Sequence, residues 1–193
     1  GGQALAEAMK AKSSMTAINL QDNRIGKEGA QALAEALKVN SSVTTIDLRR
    51  NQIGDEGAQA LKVNSSVPTI NLSGNQIGNK GAQALAEALK VNSSVTTINL
   101  RSNEIGPKGA QALAKALKVN SSVTTTINLS GNQIGDDRPK GRRREFFIDL
   151  QSNQIGNQGA QAFAEALRGN SSVTTIDLQS NQIGNQGAQA FAE

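Results

Sequence analysis

A chain of 193 residues with 4 Phe, no Trp and no Tyr has little bulky material for one central core, and its Ala, Ile, Leu and Val suit many thin, similar layers instead. The lack of cysteine and histidine removes the disulfide framework, the thiolate nucleophile, the commonest general base and the commonest metal ligand, so no catalytic residue, metal site or cofactor is expected. The net charge of +4 is local: Arg138, Lys140, Arg142, Arg143 and Arg144 against Glu145 account for all of it, which argues against a general affinity for nucleic acid or membrane.

One phrase recurs along the chain and is complete as GAQALAEALKVNSSVTTIDLRRNQIGDE over 29–56. Units of 28 residues fall at 1–28, 29–56, 81–108 and 159–186. The unit 109–137 gains one Thr in Thr124-Thr125-Thr126, 57–80 is shortened, 138–158 is degenerate, and 187–193 begins another. In the shortened unit Ala60-Leu61 runs straight into Lys62, and the missing AEAL is close to one helical turn.

Each unit opens on a predicted helix, in which Ala30, Leu33, Ala34 and Leu37 share one face while Gln31, Glu35 and Lys38 turn away. Phe163 and Phe191 replace Leu33 and are expected in the core. Asp55, Asn79, Asp136, Asn157 and Asn185 stand at the helix starts, where N-caps are expected, and Glu28 and Glu56 suit the positive helix end. The helix ends on NSS, at Asn40, Asn64, Asn92, Asn120 and Asn170. That triplet fits the N-glycosylation pattern, but no leader peptide or 18-residue apolar run accompanies it, so a cytoplasmic setting is expected and NSS reads as a backbone-bonded turn.

A short strand follows, with Ile46 and Leu48 pointing inward and Thr45, Asp47 and Arg49 outward. Pro68 falls at the first positions of its strand, where a missing donor costs least. Beyond the strand, Asn23, Asn51, Asn75, Asn103, Asn132, Asn153 and Asn181 occupy one repeat position, from which an amide can bridge backbone groups of adjacent turns; they are expected to form a structural ladder. Paired glycines such as Gly54 and Gly57 allow a tight turn and close layers. No GxxxxGK followed by Ser or Thr is present, so no phosphate loop is expected.

Val43, Ile46, Leu48, Asn51 and Ile53 fill the frame LxxLxLxxNxI. The frame resembles the leucine-rich repeat family, and the 28-residue period with a true helix resembles its ribonuclease-inhibitor subclass. That subclass is found in ribonuclease inhibitor, in the sensor regions of NOD-like receptors, which this chain resembles most, and in the GTPase-activating protein for Ran. The resemblance implies an α/β solenoid, a horseshoe arc with parallel strands on the concave face and helices on the convex face. It also implies a non-catalytic scaffold or sensor module that binds a protein on the concave face. A Ran-type GTPase regulator is the alternative, although the chain has no long acidic tail.

The outward strand positions make that face polar and small. Its candidate binding residues are Asp47, Arg49, Arg50, Asn71, Asn99, Arg101, Asn128, Phe147, Asp149, Gln151, Asp177 and Gln179. Arg49, Arg50 and Arg101 are its anchor candidates outside the degenerate unit. Within that unit, residues 138–147 replace helix and turn with RPKGRRREFF. One reading is a site for RNA or an acidic partner. The other is a pair of compensating frameshifts, because shifted frames compatible with these residues spell Ala-Gln-Gly-Ala-Glu-Ala and Asn-Ser-Ser in the repeat's own order; the coding DNA decides between them. Both ends fall inside a repeat, at Gly1 and Glu193, which reads as part of a longer arc with the possibility of self-association through uncapped ends.

Overall fold

The computed structural model describes residues 2–11, 14–62, 67–119, 126–134, 148–151, 153, 155–168 and 176–191. Helix and strand alternate along them except at β5 and β6, which follow one another among the described residues: α1 (Gly2–Ala11), β1 (Ala17–Asn19), α2 (Gly26–Val39), β2 (Thr45–Asp47), α3 (Gly54–Leu61), β3 (Thr69–Asn71), α4 (Asn79–Leu89), β4 (Thr97–Asn99), α5 (Pro107–Val119), β5 (Thr126–Asn128), β6 (Ile148–Asp149), α6 (Gly156–Leu167), β7 (Ile176–Asp177) and α7 (Asn185–Gln189). The strands form one parallel sheet in the order β1 to β7. Its register places Ile18, Ile46, Ile70, Ile98, Ile127, Ile148 and Ile176 in a single row.

That row explains the architecture. Each three-residue strand turns its central isoleucine inward, and Leu48, Leu72, Leu100, Leu129 and Leu150 follow two positions later with at most 2% exposure. From the helix side come Ala30, Leu33, Ala34 and Leu37, all buried, while Gln31, Glu35 and Lys38 are exposed. Sheet and helices therefore enclose one continuous aliphatic core, to which each buried Leu or Ile contributes about 1.5–3 kcal/mol. Curvature follows from spacing: neighbouring strands sit about 4.8 Å apart and packed helices about 8–10 Å. The molecule is thus an α/β solenoid, strands concave and helices convex.

Local deviations track the sequence. Helix α3 has 8 residues where α2 has 14, because the missing AEAL removes its last turn. Close layers also require Gly57, where an added Cβ would lie 2.4 Å from Ile53 Cγ2 and 3.1 Å from Ala30 Cβ. Pro68 ends up just before β3; its carbonyl accepts from Thr96 N at 2.8 Å, and Thr69 N reaches Thr44 O at 3.1 Å on the side where proline cannot donate. One core assignment fails: Phe163 is 4% exposed, but Phe191 is 39% exposed. Phe191 lies beyond α7, and no later described layer covers it.

Candidate functional site

The concave face is built from strand ends and the turns that follow them. Asn19, Asp47, Asn71, Asn99, Asn128 and Asp177 each end a strand, and the Oδ1 of each accepts the backbone N–H two residues on, at 3.0–3.2 Å. These side chains fold back onto their own turns, so the row of Asn and Asp is a backbone device before it is a ligand surface. Asp149 holds the same register position between Asn128 and Asp177. Gln151 is 3% exposed and donates to Asp177, while Gln179 is exposed.

Cations on this face differ in their company. The Arg49 guanidinium grips Asp47, with Nη2 to Oδ2 at 2.7 Å and Nε to Oδ2 at 2.9 Å. That hydrogen-bonded carboxylate raises the Arg49 pKa above its ordinary value. Arg50 reaches Asp22 at 3.3 Å. The Asp22 carboxyl is held below the usual range, first by a hydrogen bond from Gln21 and then by Arg50 and Arg49. Arg101 is half-exposed and forms no ion pair among the described residues.

Behind the face runs an asparagine ladder. Asn75 is fully buried; its Oδ1 accepts from Asn51 N at 2.8 Å and Ile53 N at 3.4 Å, and its Nδ2 donates to Leu48 O at 2.8 Å. Asn51, Asn103, Asn132, Asn153 and Asn181 likewise donate to the preceding layer's leucine carbonyl, at 2.7–3.2 Å. In the first layer Asn23 is exposed, and its Nδ2 donates to Leu20 O and Gln21 O of its own turn. Asn40 and Asn92 are 6% and 7% exposed; Asn40 Nδ2 donates to Met9 O at 2.7 Å, and each Oδ1 accepts two backbone N–H groups of the NSS turn.

The N-cap assignments need correction. Asp55 and Asn157 lie inside the first turn of α3 and α6, and Asn79 and Asn185 are the first residues of α4 and α7; none caps its own helix. Three of them cap the next layer instead. Asp55 Oδ1 accepts from Gly78 N at 2.8 Å and Gly81 N at 2.7 Å, Asn79 Oδ1 from Gly106 N and Gly109 N at 3.1 and 2.7 Å, and Asn157 Oδ1 from Gly184 N and Gly187 N at 2.8 and 3.1 Å. Sequence reasoning located these residues but not the helix they serve. A signal was present in the first layers, where Lys27 occupies the position of Asp55 and has no oxygen to offer; Gly54 there has φ +62° and donates to Asn75 O, whereas capped Gly78 has φ −97°.

On the convex side a hollow of about 220 Å³ opens between α5 and α6, lined among others by Pro107, Lys108, Ile134, Ile155 and Phe163. None of the described binding candidates borders it. Phe147, the run Arg138, Lys140, Arg142, Arg143 and Arg144, and also Asp136, Ser152, Asn64, Asn120 and Asn170 lie outside the described residues. Among the described residues no helix is long and apolar enough to cross a membrane, and no cluster of three acidic side chains could hold a metal ion.

A family model described as leucine-rich repeat matches residues 11–34, 39–62, 63–86, 91–114, 125–137, 147–164 and 169–192. No curated protein matches the chain. Among solved structures, the tropomodulin C-terminal domain of Caenorhabditis elegans is similar over 99% of this chain and 89% of its own, with 14% identity and a TM-score of 0.53. Leiomodin-1 actin-binding site 2 is similar over 96% and 80%, with 20% identity and a TM-score of 0.55. Likeness at these identities is one of fold.

Proposed function

The chain belongs to the leucine-rich repeat family, and from that premise we propose that it is a non-catalytic scaffold or sensor module that holds a protein partner on its concave face, in a cytoplasmic setting. The observation that carries this is the face itself: a continuous seven-stranded parallel sheet whose described outward side chains are polar, with Arg49, Arg50 and Arg101 as the cations at the second and third positions after the strand ends. Such an open, rigid arc suits contact with a large surface more than enclosure of a small substrate. The 28-residue period and the 14 residues of α2 support placing it with the ribonuclease-inhibitor type and reading its units as 1–28, 29–56, 57–80, 81–108, 109–137, 138–158, 159–186 and 187–193. With neither cysteine nor histidine in the sequence, no thiolate or imidazole chemistry competes with that reading.

Proteins captured by the whole chain, with actin as the first defined probe because a structure of an actin-binding site shares the fold, are to be re-tested against two variants. Thr97→Arg places a bulky cation on the sheet at mid-arc, and Gln83→Arg places one on the exposed side of α4. The concave reading expects at least tenfold weaker binding, about 1.4 kcal/mol, for Thr97→Arg alone. Loss confined to Gln83→Arg contradicts it.

A further inference from the structure

The repeat contains its own control for what the concave face lacks. Arg49 and Arg101 occupy the same position in two layers, each two residues beyond a strand end. In one layer the strand ends on Asp47, which accepts both Arg49 N and the Arg49 guanidinium. In the other it ends on Asn99, which accepts Arg101 N at 3.0 Å and offers no charge. Replacing one carboxylate by an amide therefore preserves the turn and releases the arginine.

Adjacent layers do not compensate. Backbone bonds stack Gly74 N on Arg101 O and Ser102 N on Ser130 O, both at 2.9 Å, so Arg101 is flanked by Ser73 and Gly74 on one side and by Ser130 and Gly131 on the other. The strand ends beside Asn99 are Asn71 and Asn128, both neutral. Glu104, three residues further on, makes no ion pair with Arg101 within 4 Å. Arg50, which also projects from this face, is already committed to Asp22.

Resting on the concave-face reading, we propose that Arg101 is the anchor for a carboxylate of the protein partner, an Asp or Glu side chain delivered between two layers whose small residues leave the guanidinium approachable. A planar guanidinium takes a carboxylate through two parallel hydrogen bonds, and the Arg49–Asp47 pair shows that this turn positions an arginine for such a grip.

The test uses the whole isotope-labelled chain, NMR detection of arginine Nε–H groups, and two capped peptides, Glu-Ala-Glu-Ala-Glu and its lysine counterpart. The Arg101 signal should shift saturably with the acidic peptide and not with the basic one, more than the Arg49 signal does, and the effect should shrink as salt rises. Asn99→Asp should reduce the peptide's affinity roughly tenfold by supplying an internal carboxylate. Asp47 and Asp177 stand at the same position, so the fold accepts that change. Arg101→Gln, the residue present at Gln21, Gln151 and Gln179, should keep the fold and remove the acidic peptide's effect on the backbone amides of Thr97 and Asn99, which shift in the unaltered chain. Equal shifts at Arg49 and Arg101, or an affinity unchanged by Asn99→Asp, overturn the proposal. If a protein partner moves the strand amides of Thr69 and Thr97 with the same affinity in the Arg101→Gln chain, the concave-face reading stands and this anchor falls. Shifts confined to α2 through α5 overturn the concave-face reading itself.

Discussion

At the scale of single residues, stability is unevenly distributed among chemically identical asparagines. Asn75 joins two layers through buried bonds to Asn51 N and Leu48 O, and its loss leaves those backbone groups unpaired where water does not reach. Asn75→Ala should cost about 2–4 kcal/mol in urea unfolding. Asn23 is exposed and bonds only within its own turn, so Asn23→Ala should stay within about 0.5 kcal/mol. Equal costs would show that the position, and not the bridge, matters. A smaller effect concerns Asp22, whose depressed pKa gives a contribution present above the unfolded carboxylate value of about 3.9 and lost as pH falls through the lower folded value. Asp22→Asn should therefore flatten the acid limb of stability against pH; an unchanged limb would remove the Gln21 and Arg50 bonds from the account.

At the scale of elements, the joint between successive helices depends on one side chain. Lys27 pairs with Glu56 at 2.7 Å, an exposed ion pair worth at most about 1 kcal/mol, whereas Asp55 captures two backbone N–H groups of the following helix. Lys27→Asp should let the second joint imitate the third, adding about 1 kcal/mol and moving Gly54 from φ +62° toward the extended conformation of Gly78. Gly54→Ala should then cost about 1–2 kcal/mol in the natural background, where it forces a side chain into the left-handed region, and little in the Lys27→Asp background. Additive costs in that double-mutant cycle would contradict the idea that the preceding layer sets the turn. The strands were legible because alternation operates within three residues: Ile46 in, Thr45 and Asp47 out. The caps were not, because Asp55 bonds to groups 23 and 26 residues away, and a residue at a helix start looks the same in sequence whichever helix it serves. The Asn99 and Arg101 pairing was legible in principle, as a change of Asp to Asn beneath a retained Arg, but only the geometry of Arg49 on Asp47 gives that change a consequence.

At the scale of the molecule, no layer has a core of its own. Ile98 and Leu100 are 3% and 0% exposed only because the neighbouring layers and the helix row cover them. The repeat period made this arc readable from sequence, and the exposed Phe191 marks where the inference failed, since burial here depends on a following layer and not on residue type. The decisive measurement is the far-UV circular dichroism and thermal melting of a peptide spanning 81–108 alone, beside the whole chain. An isolated copy should be largely unfolded with no cooperative melt, because its helix is too short to persist in water and its aliphatic side has nothing to lie against, while the whole chain should melt cooperatively. A folded, cooperatively melting single copy would contradict the account.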